Sequence, residues 1–190
     1  MITEENWGFI KKHLKPSKGA ELICLGYPDS TFTENFYDQF SGYFAKSTVL
    51  DAIAHKSFER VVDLNEWEPD ITADVVLDSG TLEHCMNIGR AFRTAAEMVR
   101  EGGLLFLTGP VAMLNHGYWS YNPSVIYDGL GENGFEILDY VLAPFPRQFQ
   151  VKASEDRAFL PAQEFTQFMV AKRTHKAGAW TWPIQKKYRS

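Results

Sequence analysis

Two apolar, strand-like runs joined by one helical segment constrain the fold of this chain more than any other feature of its sequence. The runs are ADVVLDSG at residues 73–80 and LLFLTGP at residues 104–110. Between them, apolar residues recur at helical spacing over residues 87–100, and Gly102-Gly103 supplies a stop signal before the second run. Two strands joined in this way lie parallel and need a right-handed crossover. The segment therefore predicts a parallel sheet with helices covering both faces.

The rest of the chain continues this alternation of strands and helices. Helical spacing over residues 7–14 predicts a first helix, and the runs AELICLG, STVLDAI and RVVDLN predict three strands before residue 73. Pro123 opens a later helix, and FEILDYVLA and EFTQFMVAKR predict two final strands with no helix between them. We predict a doubly wound, mostly parallel α/β sheet, whose ligands bind beyond the carboxyl ends of its strands.

Composition favours one domain and excludes several classes of partner. At 190 residues and 45% hydrophobic, the chain can bury one ordinary core, so we expect a single domain over residues 1–190. The net charge of −5 gives no reason to expect nucleic acid or anionic lipid as a partner. No apolar run approaches the roughly 20 residues of a membrane span, and the start lacks a signal-peptide pattern, so we expect a cytoplasmic protein. Cys24 and Cys85 lack zinc-like spacing, which predicts reduced thiols and no metal site.

At residues 73–110, the segment ADVVLDSGTLEHCMNIGRAFRTAAEMVREGGLLFLTGP resembles the middle of class I S-adenosylmethionine-dependent methyltransferases. Their fourth strand is followed by a turn similar to GTLEH, and Gly-Gly precedes their fifth. VLDAI and VVDLNEW stand where their second and third strands end, and residues 115–135 resemble a segment of bacterial methyltransferases associated with sugar or polysaccharide pathways. The resemblance implies a Rossmann-like, seven-stranded sheet with an antiparallel last strand. It also implies S-adenosylmethionine as cofactor and a small-molecule acceptor.

The turn after the first strand, LICLGYPDS, departs from the family pattern. The usual acid is replaced by Cys24, Gly26 is retained, and Pro28 and Ser30 stand where later glycines belong. Because proline fixes φ and has no N–H, this turn differs from the usual one. Asp29 could supply the missing negative charge to the amino group of the cofactor. Two hypotheses stay open: a variant turn that binds the cofactor, and a catalytically silent binding or partner protein. A nicotinamide enzyme is disfavoured because no GxGxxG follows the strand.

Further candidates for cofactor binding follow the second, third and fourth strands. Asp51 could accept hydrogen bonds from both ribose hydroxyls, although a solvated acid or helix cap would look the same in sequence. Asp63 and Leu64 stand where a polar and an apolar side chain would flank the adenine, with a plain turn as the alternative. Ser79 and Gly80 have little side-chain bulk, so a methionine-like chain could lie against this backbone.

The acceptor side is predicted at two histidines and the aromatic loop NHGYWSYNP. His84 or His116 could remove a proton from an acceptor hydroxyl, because imidazole titrates near neutral pH. Tyr118 and Tyr121 could hold a sugar or cover the methyl donor, since aromatic faces suit both a sugar ring and a sulfonium cation. The alternatives are structural histidines and an aromatic loop that only packs. We predict O-methylation of a small hydroxylated acceptor, a sugar or sugar conjugate; the oligomeric state stays open, with a homodimer as one option.

Overall fold

The computed structural model describes residues 4–14, 19–26, 43–54, 59–113, 115–145, 151–152, 164–175 and 178–189. These residues form helices α1 (Glu4–His13), α2 (Ile88–Glu97) and α3 (Pro123–Gly131). Short 3-10 turns cover Leu82–His84 and Lys186–Tyr188. The strands are β1 (Glu21–Leu25), β2 (Lys46–Asp51), β3 (Glu59–Val61), β4 (Ala73–Ser79), β5 (Val99–Ala112), β6 (Phe135–Phe145), β7 (Val151–Lys152) and β8 (Glu164–Arg173).

All of these strands join one sheet in the order β3-β2-β1-β4-β5-β8-β6-β7. Strands β1 to β5 are parallel to one another, and β8 lies antiparallel between β5 and β6. The two-residue strand β7 adds to the outer edge of β6. Without it, the described strands form the predicted seven-stranded sheet, with six parallel strands and one antiparallel strand. The predicted fold class is confirmed.

The central strands of the sheet are buried on both faces, each under a cluster of apolar residues. In β1, Ile23 joins a cluster that includes Ala95 of α2, whereas Leu22 joins a second cluster with Trp7 of α1. This alternation follows from the period of two in an extended chain. It explains why the central strands are continuous apolar runs in the sequence. None of the described helices has the length and apolar character needed to cross a membrane.

The connection into β5 differs from the sequence prediction. Helix α2 ends at Glu97 instead of continuing to residue 100, and β5 begins at Val99. Pairing explains this early end, because Val99 is already in register with Ala73 of β4. Gly102 and Gly103 therefore lie inside the strand and do not stop the helix. They stand where the ladder shifts register, and Gly102 has a φ of +80° that favours glycine.

Candidate functional site

The carboxyl ends of the parallel strands bring most of the predicted cofactor residues to one edge of the sheet. Leu25 of β1 pairs with Leu50 of β2 and with Asp78 of β4. Gly26 and Ser79 come one residue after these paired positions, and Asp51 ends β2. In a doubly wound sheet, this edge binds the ligand.

Gly26 makes a turn that another side chain would not fit. Its φ is +74°, and a Cβ there would lie 2.1 Å from Oγ1 of Thr81. The Thr81 hydroxyl donates to the Leu25 carbonyl at 2.8 Å, and the Gly26 N–H donates to the Leu50 carbonyl at 2.7 Å. The turn after β4 therefore packs directly on the turn after β1. Glycine is needed here both for the backbone conformation and for the close approach.

Cys24, at the position of the usual family acid, contributes no charge to this edge. Its side chain is buried in the cluster on the α1 face of the sheet, and burial raises the pKa of the thiol. Asp29, predicted to supply the missing charge, lies outside the described residues, as do Pro28 and Ser30. The hypothesis of a variant turn therefore stays a prediction.

The predicted acids after β2 and β3 both stabilise local turns. Asp51 Oδ1 accepts from the Ile53 N–H at 3.0 Å, and Asp63 Oδ1 accepts from the Asn65 backbone and side-chain nitrogens at 2.9 and 2.7 Å. Such Asx turns leave acceptor capacity, because a carboxylate has about four lone-pair sites. Leu64, predicted to flank adenine, packs into the core with 5% of its surface exposed. Of the pair after β3, Asp63 is therefore the residue exposed at the edge.

Two buried carboxylates, one near the end of β4 and one between β4 and α2, were missed by sequence reasoning as site residues. Asp78 and Glu83 are fully buried. Asp78 Oδ1 accepts from the Thr81 N–H at 2.9 Å, whereas Asp78 Oδ2 and both Glu83 oxygens have no hydrogen-bond partner among the described residues. Burial and then the neighbouring Glu83 raise the pKa of Asp78 well above its ordinary value. Burial also raises the pKa of Glu83, opposed in part by the imidazoles of His84 and His116. The available signal was a pair of acids inside DSGTLEHC, a run that apart from His84 is otherwise apolar or small.

The loop after β5 crosses over Glu83 and is anchored to it. The backbone N–H groups of Tyr118 and Trp119 donate to the Glu83 carbonyl at 2.9 and 3.2 Å. A Cβ on Gly117 would lie 2.9 Å from both Cγ and the carbonyl oxygen of Glu83. The loop can therefore pass this closely because residue 117 is glycine. This crossing brings His116 to the buried carboxylate.

The two predicted catalytic histidines come together at Glu83. His116 Nε2 lies 3.5 Å from Glu83 Oε1, and the His84 and His116 ring centroids are 5.6 Å apart. One ligand atom from each of these three residues lies within 4.8 Å of the other two. Both imidazoles are exposed while the carboxylate is buried. The site therefore offers two exposed imidazoles to a ligand above a single buried acid.

The two predicted substrate tyrosines lie in different environments. Tyr118 is 66% exposed, whereas Tyr121 is 4% exposed and packs so closely on Gly109 that a Cβ there would lie 2.4 Å from its ring. Burial, followed by Asp78 and Glu83, raises the pKa of Tyr121 well above its ordinary value. Its hydroxyl is buried and has no hydrogen-bond partner in the described part of the chain. Tyr121 is thus mainly a core residue beneath the loop.

A cavity of about 520 Å³ opens beside this loop, between the first turns of α2 and α3 and residues 180–185. Aromatic side chains form much of its wall, and polar groups such as Asn122 and Asp128 stand among them. Trp180 packs edge-on against Phe92 and Trp182, with centroid separations of 6.1 and 5.9 Å. The wall is therefore suited to a ligand with an apolar face and a few polar groups. Its aromatic members are Phe92, Trp119, Tyr121, Trp180 and Trp182.

Comparison with known proteins finds similar structures but no similar sequence among family models or curated proteins. No family model and no curated protein matches the chain. The N-methyltransferase NodS of Bradyrhizobium japonicum, solved with S-adenosyl-L-homocysteine, aligns at 14% identity and TM-score 0.62 over 90% of this chain and 87% of NodS. An S-adenosylmethionine-dependent methyltransferase of Clostridium acetobutylicum aligns at 12% identity and TM-score 0.59 over 93% of both chains.

A third similar structure has a different kind of activity in its name. The [4+2]-cyclase SpnF aligns at 13% identity and TM-score 0.58 over 90% of this chain and 80% of SpnF. A shared fold can host different chemistry, so the likeness does not by itself assign a reaction. What these similarities establish is architectural: the chain has the fold of class I S-adenosylmethionine-dependent methyltransferases.

Proposed function

We propose that this protein is an S-adenosylmethionine-dependent methyltransferase that methylates a hydroxyl of a small acceptor, a sugar or a sugar conjugate. The observation that carries the proposal is the pair of histidines on buried Glu83, at the edge where this fold binds its ligands. S-adenosylmethionine would supply a methyl group activated by its sulfonium centre. The remaining work is alignment of the two reactants, exclusion of water and removal of one proton.

Residues at the ends of β1, β2 and β4 fit the donor. The Asp51 carboxylate is half-buried, and its bond to the Ile53 N–H leaves capacity for a ribose hydroxyl. Gly26 and Gly80, with φ values of +74° and +91°, shape the turns after β1 and β4 that would face the methionine end of the cofactor. Ser79 and Asp63 complete the set, with Asp63 at the adenine end. Asp29 is the proposed partner of the amino group.

The acceptor proton would be removed at the histidine pair. His116 Nε2 faces Glu83 Oε1 at 3.5 Å, so the buried carboxyl group can orient this imidazole. An imidazole held in this way can take a proton from a hydroxyl at neutral pH. His84, whose ring is beside that of His116, is the second candidate. Both side chains are exposed and accessible to an acceptor.

The aromatic cavity supports a sugar-like acceptor. Trp119, which lines the cavity, donates from its indole nitrogen to the Met86 carbonyl at 3.2 Å, and this bond holds its ring in place. Fixed aromatic faces suit the apolar face of a sugar, and nearby Asn122 and Asp128 can bond its hydroxyls. Tyr118, exposed on the same loop, is proposed as a further contact. We infer a role in polysaccharide biosynthesis in the cytoplasm from the sugar-associated sequence pattern and the absence of a spanning helix in the described residues.

Cofactor binding is the first test. In calorimetric titrations with S-adenosylhomocysteine, Asp51→Ala should weaken binding about tenfold to a hundredfold, because charge-assisted bonds worth roughly 1.5–3 kcal/mol are lost. Asp70→Ala is the matched control, since Asp70 is exposed and pairs with Arg60 at 2.6 Å. We expect its affinity to equal that of the wild type. Lack of binding by the wild-type protein would instead favour a catalytically silent binding protein.

Turnover against a panel of nucleotide sugars and small glycans tests the acceptor side. His116→Asn should lower turnover by about 10²-fold or more and leave the S-adenosylhomocysteine affinity nearly unchanged, because a general base acts on the chemical step. The same measurement on His84→Asn shows which imidazole is the base. Full activity of both variants would reject the histidine assignment, and methylation confined to amines or proteins would reject the sugar hydroxyl.

A further inference from the structure

We propose that Glu83, His84 and His116 form a binding site for a divalent transition-metal ion. Two imidazoles and one carboxylate are ligands that such ions accept, with positions left open for a further ligand. In sequence, His116 is far from the pair Glu83-His84, and the spacing matches no metal motif. The loop that crosses over Glu83 brings the three side chains together.

The separations of the ligand atoms fit one ion. With bonds of about 2.0–2.1 Å and tetrahedral angles, two ligand atoms of one zinc ion lie about 3.3 Å apart. Glu83 Oε1 and His116 Nε2 are 3.5 Å apart, which is near that value. All three ligand atoms lie within 4.8 Å of one another, so His84 needs to move by less than about 2 Å. His84 can make this movement by side-chain rotation because it is exposed.

The buried carboxylate supplies an independent reason to expect a cation. Glu83 is fully buried, and within the described residues neither of its oxygens has a hydrogen-bond partner. An ionised carboxylate is costly in such a place unless a cation or a set of donors compensates it. Nε2 of His116 lies at 3.5 Å, beyond ordinary hydrogen-bond range, but correctly placed to share an ion. A bound ion would satisfy the carboxylate and both imidazoles together.

The donor set indicates the kind of ion and its exposure. Imidazole nitrogens favour Zn²⁺ or Co²⁺ over Mg²⁺, which prefers oxygen ligands and retains its waters. Because His84 and His116 are exposed, the open coordination positions would face solvent and not the core. Open positions are typical of catalytic metal sites, whereas structural sites are closed by four protein ligands.

Metal binding itself does not depend on the proposed methyl transfer, but its consequence for the acceptor does. A hydroxyl bound to the ion would have a lowered pKa and would release its proton to water, leaving an oxygen able to accept the methyl group. In this state the imidazoles serve as ligands, and neither acts directly as the base. If turnover requires the metal, the two imidazoles act as metal ligands. If turnover persists in the presence of a chelator, one of them acts as the base.

Calorimetric titration of Zn²⁺ and Co²⁺ into chelator-treated full-length protein tests the site. We expect one ion per chain, a rise in the unfolding temperature and a visible Co²⁺ spectrum. Mg²⁺ should give a far smaller response. His84→Ala and His116→Ala should each weaken Zn²⁺ binding by about 100-fold or more, because each removes one of three ligands. His175→Ala is the matched control, since His175 is an exposed histidine near Gly134, on a different part of the surface, and should bind Zn²⁺ as the wild type does.

Glu83→Gln separates metal binding from folding. The amide keeps the shape of the side chain, so circular dichroism should show an intact fold while Zn²⁺ affinity falls to the level of the histidine variants. If this variant does not fold, the His84→Ala and His116→Ala titrations decide alone. The proposal is overturned if the wild type shows no saturable Zn²⁺ binding, or if binding survives both histidine substitutions. Binding of S-adenosylhomocysteine to metal-free protein is measured separately, so failure of the metal site leaves the proposed function testable.

Discussion

At the amino edge of the sheet, Arg100 donates to the carboxylates of Glu21 and Asp74 and, at 3.0 Å, to the Thr72 carbonyl. Asp74 also accepts from the Glu21 backbone N–H at 2.7 Å. At the carboxyl edge, by contrast, the buried oxygens of Glu83 have no hydrogen-bond partner in the part of the chain that the structure describes. The charged groups at the amino edge are partly exposed and hydrogen-bonded to one another. At the carboxyl edge, the Glu83 carboxyl group is buried without a hydrogen-bond partner among the described residues.

This difference identifies the functional edge better than cavity size does. A cavity of about 410 Å³ also lies at the amino edge, lined by residues that include Arg60 and Arg100. Its two arginines are already paired with carboxylates, and exposed pairs of this kind contribute little, usually below about 1 kcal/mol. A buried carboxylate left unpaired costs more than that, unless it is protonated or meets a ligand. On electrostatic grounds, the carboxyl edge is therefore the proposed ligand-binding edge.

The largest expected difference between the edges is in the stability lost when a methyl group is added to a glycine. Gly26→Ala should lower the free energy of unfolding by about 2–5 kcal/mol, because a Cβ would lie 2.1 Å from Thr81 Oγ1 in a backbone with φ of +74°. Gly102→Ala at the other edge should cost about 1–2 kcal/mol, since its φ is +80° but no described atom lies within 4 Å of the added Cβ. Urea unfolding measures both.

A Thr81→Ala background isolates the steric part of the Gly26 effect. Removing the hydroxyl should recover part of the stability that Gly26→Ala loses, whereas Gly102→Ala should cost the same in either background. Equal losses for the two glycine variants would mean that the close approach of the turns after β1 and β4 has no energetic importance.

The second prediction concerns the dependence of stability on pH at the carboxyl edge. Glu83, Cys85 and Tyr121 all interact electrostatically with buried Asp78, whose pKa is raised by burial and by Glu83. Between the unfolded pKa of about 3.9 and its raised folded pKa, the folded state holds a proton that the unfolded state has released. Stability should therefore fall as pH rises through this window, by at most about 1.4 kcal/mol per pH unit for this group.

Asp78→Asn removes this titration and keeps an oxygen that can accept from the Thr81 N–H. In urea unfolding with chelator at about pH 5 to about pH 8, the variant should gain stability relative to the wild type as pH rises. Asp70→Asn is the control, because Asp70 is exposed and the Arg60 guanidinium lowers the pKa of its carboxyl. A difference between Asp78→Asn and wild type that is flat or of opposite sign over this range would contradict a raised Asp78 pKa.

The smallest effect is expected at the amino edge. Arg100→Met removes the charge but keeps most of the alkyl chain, and should cost about 0.5–1 kcal/mol, because its ion pairs with Glu21 and Asp74 are partly exposed. The cost should shrink in 1 M salt, which screens exposed charges. Unfolding titrations at low and high salt provide the measurement. A loss of several kcal/mol that salt leaves unchanged would show that the Arg100 network contributes far more to stability than exposed ion pairs do.

The fold could be predicted from the sequence because its elements are local. The runs at residues 73–80 and 104–110 are mostly apolar and coincide with buried parts of β4 and β5, and Pro123 stands at the first position of α3. Boundaries were less predictable, since α2 ends at Glu97 because Val99 pairs with Ala73. Pairing across the sheet depends on residues distant in sequence, and no local pattern encodes it.

The sequence by itself determined the candidates at the carboxyl edge, because residues that follow parallel strands must lie there. Asp51 and His84 were found in this way. Tertiary structure decided which of these candidates meet. His116 reaches Glu83 because Gly117 lets the loop cross over it. Tyr121 is buried against Gly109, whereas Tyr118 is exposed. Burial of Glu83 was likewise decided by neighbours remote in the chain, such as the N–H of Tyr118 that bonds its carbonyl. Strand ends are fixed by local pattern, whereas the burial and pairing of a charge depend on which distant segments cover it.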